Sequence, residues 1–452
     1  MILAGIVSFV KETLTDARQA VATRDGVKSL YRVSLYRNSV YLVANSAVNS
    51  LTGVLFWIAA ARIYAPGDVG LASAAISAIG IVVLFASLGL DYGLIRFLPD
   101  ESRKANDFIN TLFVTTGLSA AGLAVVFLVG LPVWSPALLP IREGPLFLVS
   151  FIFLDFIFML SLFAIQVFIA RRRTGFALAQ GIIFGVFRFI PLFLLATVDP
   201  ALGIYYSWGI AIAASTLIAF WFLPRVVRGY RPRLTIKKQV LAEVFRFSLA
   251  NYISSITWSV PAVVLPLMVV NILGAEQNAY FYIGWSVASI IFMIPFGISQ
   301  SLFAEGAHGS EDLGRQVRKS LKISLVLTVP ALALLLLLSD KILWLFGSGY
   351  SKNTTVMIWI IAPSVIPMSV NFIYLSIMRV RKKIKSVVFL TAFMAVVTLA
   401  LSWVLLPVMG IRGAGIAWLA GQVGALALVA FDLFRKKSGG PAARETISGE
   451  TI

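Results

Sequence analysis

The distribution of basic residues constrains this chain more than any other feature of its sequence. Of its 38 Lys and Arg residues, 32 fall in the two terminal segments and in alternate loops between apolar segments, five fall in the intervening loops, and one lies inside an apolar segment. Loops rich in Lys and Arg stay on the cytoplasmic side of a membrane. The pattern therefore predicts a chain that crosses the cell membrane repeatedly, with both termini in the cytoplasm.

The apolar segments are long enough to cross a bilayer as helices. A helix needs about 20 residues to cross about 30 Å of hydrocarbon. With 59% hydrophobic and 13% charged residues, the composition excludes an ordinary soluble domain. The sequence predicts an all-α polytopic membrane protein with 12 transmembrane helices. These predicted spans cover residues 38–64, 69–95, 107–131, 145–170, 174–198, 201–224, 247–272, 278–303, 320–346, 353–378, 386–409 and 413–434.

The chain repeats its own organisation. Spans 1, 2 and 4 begin near residues 37, 69 and 145, and spans 7, 8 and 10 begin 209 residues later. Because six is even, the two halves have the same orientation and form parallel six-helix lobes around a central cleft. The predicted domains are a cytoplasmic amphipathic segment (1–36), an N-terminal lobe (37–224), a basic cytoplasmic linker (225–245), a C-terminal lobe (246–434) and a cytoplasmic tail (435–452).

Composition also excludes several kinds of chemistry. The formal net charge of +18 reflects the positive-inside bias and attraction to anionic lipids, so no nucleic-acid partner is expected. The absence of Cys excludes thiolate ligands and disulfides, and the single His308 leaves little room for an imidazole metal site. We therefore expect no metal and no cofactor. The short loops outside the membrane and the lack of a nucleophile–base pair or a P-loop disfavour an enzyme.

Four stretches resemble polysaccharide-export proteins. They are ARIYAPGDVG at 61–70, LGLDYGLIRF at 88–97, the run from Ile294 to Glu305, and GIRGAGIA at 410–417. Together with the repeat they are similar to Wzx-like oligosaccharide flippases of the MOP superfamily, a MATE-like architecture. This resemblance implies alternating access that moves a polyprenyl-(pyro)phosphate-linked oligosaccharide to the outer leaflet for cell-surface polysaccharide assembly. It also implies membrane lipids and a glycan polymerase or transferase complex as partners of a protein that works as a monomer.

The sequence argues against one other branch of the superfamily and leaves a second branch open. Peptidoglycan-precursor flippases carry arginines in the middle of span 1, where this chain has Asn45, Asn49 and Trp57, with Arg62 only at the end. The alternative function is a Na⁺- or H⁺-coupled multidrug (cation) antiporter, which needs a carboxylate deep in the N-terminal lobe. Asp155 is the candidate for that carboxylate. Flipping is driven by ion coupling, or by a membrane potential of ~100 mV that supplies ~4–5 kcal/mol to two exported charges.

Asp155 and Arg188 are the ionisable residues deepest within predicted spans, where such residues are costly and usually functional. Spans 4 and 5 run antiparallel, and both residues lie about ten positions from the outer ends of their spans. Their similar depth predicts a pair. Two interpretations remain: Arg188 anchors the substrate phosphate with Asp155 tuning it, or the two form a static ion pair within one lobe.

Polar residues on the first span of each lobe are the remaining substrate-binding candidates. Asn45 and Asn49 are four apart and share a helical face, as do their counterparts in span 7. They are predicted to line the cleft and contact sugar, with hydrogen bonding between helices as the alternative. The set comprises Asn45, Asn49, Asn251, Ser255, Trp258 and Gln300, with Asn371 as a further sugar contact.

Charged residues at span ends and prolines within spans are candidates for gating. Asp91 and Arg96 close span 2 on the cytoplasmic side, and Arg62 closes span 1 on the outer side. The alternatives are interfacial pairing and anchoring of snorkelling side chains. Proline bends a helix and is a plausible hinge, although kinks also occur without gating. The candidates are Asp91, Arg96, Arg62, Pro261, Pro266 and Pro295.

Overall fold

The computed structural model describes residues 34–99, 105–142, 144–200, 202–307 and 313–438, and within these ranges the regular structure is entirely helical. The predicted amphipathic segment and most of the tail lie outside the described residues. The helices are α1 (Ser34–Ile63), α2 (Pro66–Ala86), α3 (Leu90–Phe97), α4 (Ala105–Trp134), α5 (Leu139–Arg142), α6 (Pro145–Ala170), α7 (Thr174–Phe187), α8 (Phe189–Leu195), α9 (Gly203–Val226), α10 (Lys238–Leu273), α11 (Ala275–Ala307), α12 (Leu313–Trp344), α13 (Ser348–Ile361), α14 (Val365–Val380), α15 (Ile384–Met409) and α16 (Ile411–Ser438).

Within the described residues, 12 helical spans are long and apolar enough to cross a membrane, as the sequence predicts. Spans 1 to 4 are α1, α2, α4 and α6, span 5 is the pair α7 and α8, and span 6 is α9. Spans 7 to 9 are α10, α11 and α12, span 10 is the pair α13 and α14, and spans 11 and 12 are α15 and α16. Spans 1–6 and 7–12 form two parallel lobes around a cleft.

The end of span 2 and the start of span 7 differ clearly from the sequence prediction, since α2 ends at Ala86 rather than at residue 95. The helix of span 7 begins at Lys238, well before residue 247, so the non-helical connection between the lobes covers only residues 227–237. The first residues of this helix are polar and basic, so their low hydropathy is typical of a loop. Lys and Gln are nevertheless good helix formers in water. We call the side of the helical bundle that carries residues 227–237 the linker side. We call the other side of the bundle the opposite side.

Small residues bring the two lobes together along spans 2, 7 and 8. A Cβ atom on Gly70 of span 2 would collide with the backbone carbonyl of Ala275 at the start of span 8. At this crossing, the Asn278 amide donates to the Gly70 carbonyl (2.8 Å) and lies 3.1 Å from Ser73 Oγ. Close backbone approach with interhelical hydrogen bonds is how helices associate in lipid, where apolar burial gives little driving force. This crossing therefore fixes the lobes on the opposite side.

The lobes also meet on the linker side, at the turn between α2 and α3. Gly89 has a φ of +69°, and a Cβ atom there would press against the Tyr252 side chain at 2.5 Å. Tyr252 donates its hydroxyl to the carbonyl of Phe85 (2.7 Å), and the rings of Phe97 and Phe247 pack at 5.4 Å. Glycine suits this turn because its backbone is left-handed and closely approached. Span 2 is consequently held against the C-terminal lobe at both ends, by span 8 on the opposite side and by span 7 on the linker side.

Candidate functional site

A cavity of about 650 Å³ lies between the lobes at the linker side. Spans 7, 8, 10 and 11 contribute its walls, and the N-terminal lobe contributes one residue of α3. We call it the linker-side cavity. Its lining residues are Tyr92, Ser254, Ser255, Trp258, Ser259, Phe296, Gln300, Phe303, Arg379, Ile384 and Val387.

Arg379 supplies the charge of this cavity. It lies in the last turn of α14, half-buried, and no carboxylate of a described residue lies within ion-pair distance of it. Its electrostatic neighbour is the Tyr92 hydroxyl of the other lobe. A guanidinium presents five N–H donors in a rigid fork that matches phosphate. An arginine held in a cavity without a carboxylate partner is therefore arranged to receive an anion.

Aromatic and amide groups surround this cation. The Trp258 ring is half-buried and packs on Phe372 (4.8 Å) and Trp418 (6.3 Å), which hold it rigidly at the cavity wall. Gln300 is exposed in the cavity, and Ser255 lies on the same wall as Trp258. Flat aromatic faces and amide or hydroxyl groups are the surfaces that bind small polar ligands in a largely apolar pocket. The cavity thus combines one cation with groups suited to a sugar.

The structure places three of the six polar cleft candidates in this cavity: Ser255, Trp258 and Gln300. The side chain of Asn251 lies outside the described residues. Sequence reasoning missed Arg379, because the predicted span 10 ended at residue 378 and assigned it to a loop. It also missed Tyr92, because the gating prediction for this stretch covers only Asp91 and Arg96.

Asn45 and Asn49 do share one helical face, but this face packs against span 5 of their own lobe. Asn49 Nδ2 donates to the Asn45 carbonyl (2.8 Å) and to Asn45 Oδ1 (3.0 Å). A Cβ atom on Gly181 of span 5 would collide with Asn45 Oδ1. The face therefore packs against a neighbouring helix, while the hydrogen bonds of Asn49 to Asn45 stay within span 1. Asn371 likewise binds Gln422 of span 12 rather than the cavity, with an Nδ2 to carbonyl distance of 2.9 Å.

Asp155 and Arg188 do not pair, so this expectation from their equal depth is wrong. Arg188 turns toward span 1, where Nη2 donates to Thr52 Oγ1 (3.1 Å) and the guanidinium stacks on Phe56 (4.8 Å) and Phe184 (4.9 Å). Asp155 is fully buried, and neither carboxyl oxygen finds a hydrogen-bond partner among the described residues. The position of a residue along a helix does not determine the helical face on which its side chain lies. The side chains of Asp155 and Arg188 therefore point to different neighbours although the two residues lie at similar depth.

Arg188 lies where the two lobes touch, beyond the linker-side cavity. Its electrostatic neighbour in the other lobe is Tyr282 of span 8, and the Tyr282 ring packs on Trp57 of span 1 at 4.8 Å. Arg188 is 5% exposed and forms no ion pair with a described carboxylate. Cation–π contacts and one hydroxyl compensate the buried charge only in part. A second cation without a carboxylate partner thus lies at the contact between the lobes.

Arg62 joins the two lobes on the opposite side. Its Nε donates to the Leu345 carbonyl (2.8 Å), its Nη2 donates to the Trp344 carbonyl (2.6 Å), and the guanidinium lies 5.1 Å from the Trp344 ring centre. These carbonyls follow the end of span 9, where helical carbonyls lack intrahelical donors. Span 1 of one lobe is thereby tied to span 9 of the other.

A further interlobe contact on this side involves Asn271 of span 7. Its Oδ1 accepts from the Ala137 amide (3.0 Å), and its Nδ2 lies 3.2 Å from the Trp134 carbonyl. The lobes therefore meet on the opposite side through polar contacts, while the cavity lies on the linker side.

The other gating candidates occupy the linker side or the span interiors. Burial raises the pKa of the Asp91 carboxyl. Hydrogen bonds from the backbone amides of Asp91 and Tyr92 lower this pKa and offset part of the effect. Arg96 is exposed in the last turn of α3. Pro261 and Pro266 lie inside α10 and Pro295 inside α11, and both helices continue through them. Their role as hinges stays a prediction.

Two models of known protein families match this sequence. The family model described as polysaccharide biosynthesis protein matches residues 35–294, which is more than half of the chain. The chain belongs to this family. The MatE family model matches residues 252–404 of the C-terminal lobe. No curated protein matches the sequence.

Solved structures share the fold of this family member at low sequence identity. The lipid II flippase MurJ in an inward closed conformation has a TM-score of 0.71 and 13% identity, covering 87% of this chain and 87% of MurJ. An inward-facing multidrug resistance MATE transporter has a TM-score of 0.64 and 14% identity, covering 88% of this chain and 99% of that one. A MOP superfamily transporter from Pyrococcus furiosus, whose binding pocket is described as reversed in polarity, has a TM-score of 0.61 and 14% identity, covering 89% and 95%.

These relationships confirm the predicted superfamily. This polysaccharide biosynthesis family member is a multi-pass membrane protein and a transporter of the MOP superfamily, with two parallel six-helix lobes. MATE transporters and a lipid II flippase share the fold, so the fold alone leaves the substrate open. The chemistry of the cavity is what distinguishes one substrate class from another.

Proposed function

We propose that this protein flips a polyprenyl-(pyro)phosphate-linked oligosaccharide from the cytoplasmic to the outer leaflet of the cell membrane by alternating access. The observation that carries the proposal is Arg379, a half-buried cation without a carboxylate partner in a cavity that also offers Trp258 and Gln300. The positive-inside pattern supports placing the linker side, and both termini, in the cytoplasm. The substrate then enters from the leaflet in which such a lipid would be assembled.

The charge of the cavity favours an anion over a cationic drug. Arg379 would repel a cation, and the described lining residues include no carboxylate to offset it. The carboxylate that a cation antiporter would need is offered by Asp155, but this side chain is fully buried inside the N-terminal lobe. A phosphate held by a guanidinium fork gains charge-assisted hydrogen bonds that a cationic drug does not.

The headgroup would pass between two arginines. In this conformation the phosphate of the headgroup would bind the Arg379 guanidinium, and the sugars would lie against Trp258, Gln300 and the serines of span 7. Arg188 lies beyond the cavity and is covered by Tyr282 and Trp57. When the lobes separate on the opposite side, we infer that Arg188 is uncovered and receives the phosphate. Without such groups, each unsatisfied polar group in hydrocarbon would cost several kcal/mol.

The lipid tail can remain in the bilayer throughout. The linker-side halves of spans 1 and 8 carry exposed apolar residues, including Val43 (70%), Leu51 (63%) and Met293 (52%). Exposed apolar surface at bilayer depth is suited to contact hydrocarbon. A tail lying beside these spans would leave only the headgroup to cross. We propose that a monomer suffices for this cycle, and that a glycan polymerase or transferase complex exchanges substrate with it.

Substrate selectivity in proteoliposomes tests the proposal. We expect the purified protein to flip a fluorescent polyprenyl-pyrophosphate-linked oligosaccharide, and to leave the distribution of the cationic drug ethidium unchanged. With the linker side inside, imposing an inside-negative potential of ~100 mV should accelerate flipping, since exporting negative charge gains ~2.3 kcal/mol per charge. A pH or sodium gradient at zero potential separates ion coupling from this drive. Ethidium transport without oligosaccharide flipping would overturn the proposal in favour of drug antiport.

A further inference from the structure

The connection between the lobes is fastened to the N-terminal lobe by hydrogen bonds. Residues 227–237, which we call the strap, run without regular structure across the linker side of the N-terminal lobe. Asn110 Nδ2 donates to the Arg231 carbonyl (2.9 Å), and the Tyr230 hydroxyl donates to Asn110 Oδ1 (3.0 Å). Farther along, the Lys237 amide donates to Thr111 Oγ1 (3.1 Å). The strap therefore lies against the first turns of span 3.

The strap lies at the level of lipid headgroups. Just before it, Arg225 stacks on Trp221 at 3.7 Å, and Trp221 is 61% exposed at the end of span 6. Tryptophan at a span end marks the membrane interface. Leu234 in the strap is 95% exposed, and its neighbour Arg233 is exposed as well. An exposed leucine beside exposed arginine is suited to an interface, where apolar and anionic groups meet.

A pocket of about 210 Å³ lies beneath the strap. Its floor is apolar and consists of Phe113, Val114 and Phe156 with neighbours from spans 4 and 6, while Arg233 stands at its rim. Asn110 also lines it, but its amide and its carbonyl oxygen are already engaged by the strap. Val114 and Phe156 are half-buried, so the pocket is open toward the bilayer. The pocket thus offers hydrocarbon contact inside and a cation at the rim.

We propose that an anionic phospholipid of the linker-side leaflet binds here, with its phosphate on Arg233 and one acyl chain in the pocket. An amphiphile matches both halves of the site, because a free anion would leave the apolar floor uncovered and a neutral hydrocarbon would leave the arginine unpaired. The strap is the covalent link between lobes that must move relative to each other during transport. A bound lipid would hold the strap on the N-terminal lobe and tune this movement to membrane composition.

Lipid binding to the purified full-length protein, followed by native mass spectrometry, tests this site. Dioleoyl phosphatidylglycerol and dioleoyl phosphatidylcholine have the same acyl chains and differ in headgroup charge. Titration with each lipid therefore distinguishes the contribution of the headgroup to binding from that of the chains. We expect Arg233→Gln to weaken phosphatidylglycerol binding about fivefold, since a basic residue near anionic lipid contributes about 1 kcal/mol. Phosphatidylcholine binding should not change. Arg228→Gln, an exposed arginine of the same strap outside the pocket, is the matched control and should have no effect.

A second variant tests the chain-binding half. Val114→Trp fills the open pocket and should weaken binding of both lipids, and thermal melting checks that the variant is folded. Inorganic phosphate should not displace phosphatidylglycerol. Equal binding of the two lipids by the unaltered protein, equal behaviour of the Arg233→Gln and Arg228→Gln variants, or displacement by inorganic phosphate would each overturn the proposal.

Discussion

Arg379→Gln is expected to slow flipping of a lipid-linked oligosaccharide by about 10- to 100-fold, because a hydrogen bond between charged groups contributes about 1.5–3 kcal/mol. The effect is large because no carboxylate of a described residue neutralises Arg379, so its charge is available to the substrate. The half-buried side chain lies in an open cavity, and its removal leaves no tightly packed void. Initial flipping rates in proteoliposomes at matched protein density would measure the loss.

Two companion variants separate substrate binding from general charge. Arg379→Lys keeps the charge but loses the bidentate fork, so it should recover only part of the rate. Arg381→Gln removes an exposed arginine two residues away that does not line the cavity, and it should flip at the unaltered rate. Equal losses in the Arg379→Gln and Arg381→Gln variants would assign the effect to surface charge and reject Arg379 as the phosphate anchor.

Arg62→Gln is expected to shift the resting protein toward a state that is open on the opposite side. Arg62 makes two charge-assisted hydrogen bonds to the carbonyls of Trp344 and Leu345 across the lobes. Losing about 1.5–3 kcal/mol changes the ratio of the two conformations by about 10- to 100-fold. Because the sequence contains no cysteine, spin labels can be placed at Ala65→Cys and Ser348→Cys without other changes. Pulsed electron paramagnetic resonance would then report a longer interlobe distance.

The control for this experiment is Arg412→Gln. Arg412 is an exposed arginine on the same side, at the start of span 12, and no interlobe contact of Arg412 is seen. Its replacement should leave the distance distribution unchanged. If Arg62→Gln also gave the unaltered distribution, Arg62 would be an interface anchor rather than a latch between the lobes.

The fold could be predicted from the sequence because the bilayer imposes it. Spanning segments must satisfy their backbone internally and reach across the hydrocarbon, so length and apolarity suffice to find them. The 209-residue repeat and the alternation of basic loops then predict the lobes. The start of α10 at Lys238 escaped this logic, because that part of the helix lies outside the apolar stretch.

The site was only partly predictable. Ser255, Trp258 and Gln300 were found because span 7 and the end of span 8 face the cavity. Helical spacing shows which residues share a face but not which neighbour that face meets, so Asn45 and Asn49 were assigned to the cleft although they pack on span 5. Pairing of Asp155 with Arg188 failed for the same reason.

We propose that the lobes enclose a cavity that opens on the linker side and holds the substrate headgroup. Gln300→Cys, in a chain without other cysteines, places a single thiol in that cavity. A membrane-impermeant maleimide should label it from the linker side alone, and the lipid-linked oligosaccharide should protect it from labelling. Labelling from the opposite side in the resting protein would show that the cavity does not open on the linker side alone. Undiminished labelling at saturating substrate would show that the headgroup does not bind in this cavity.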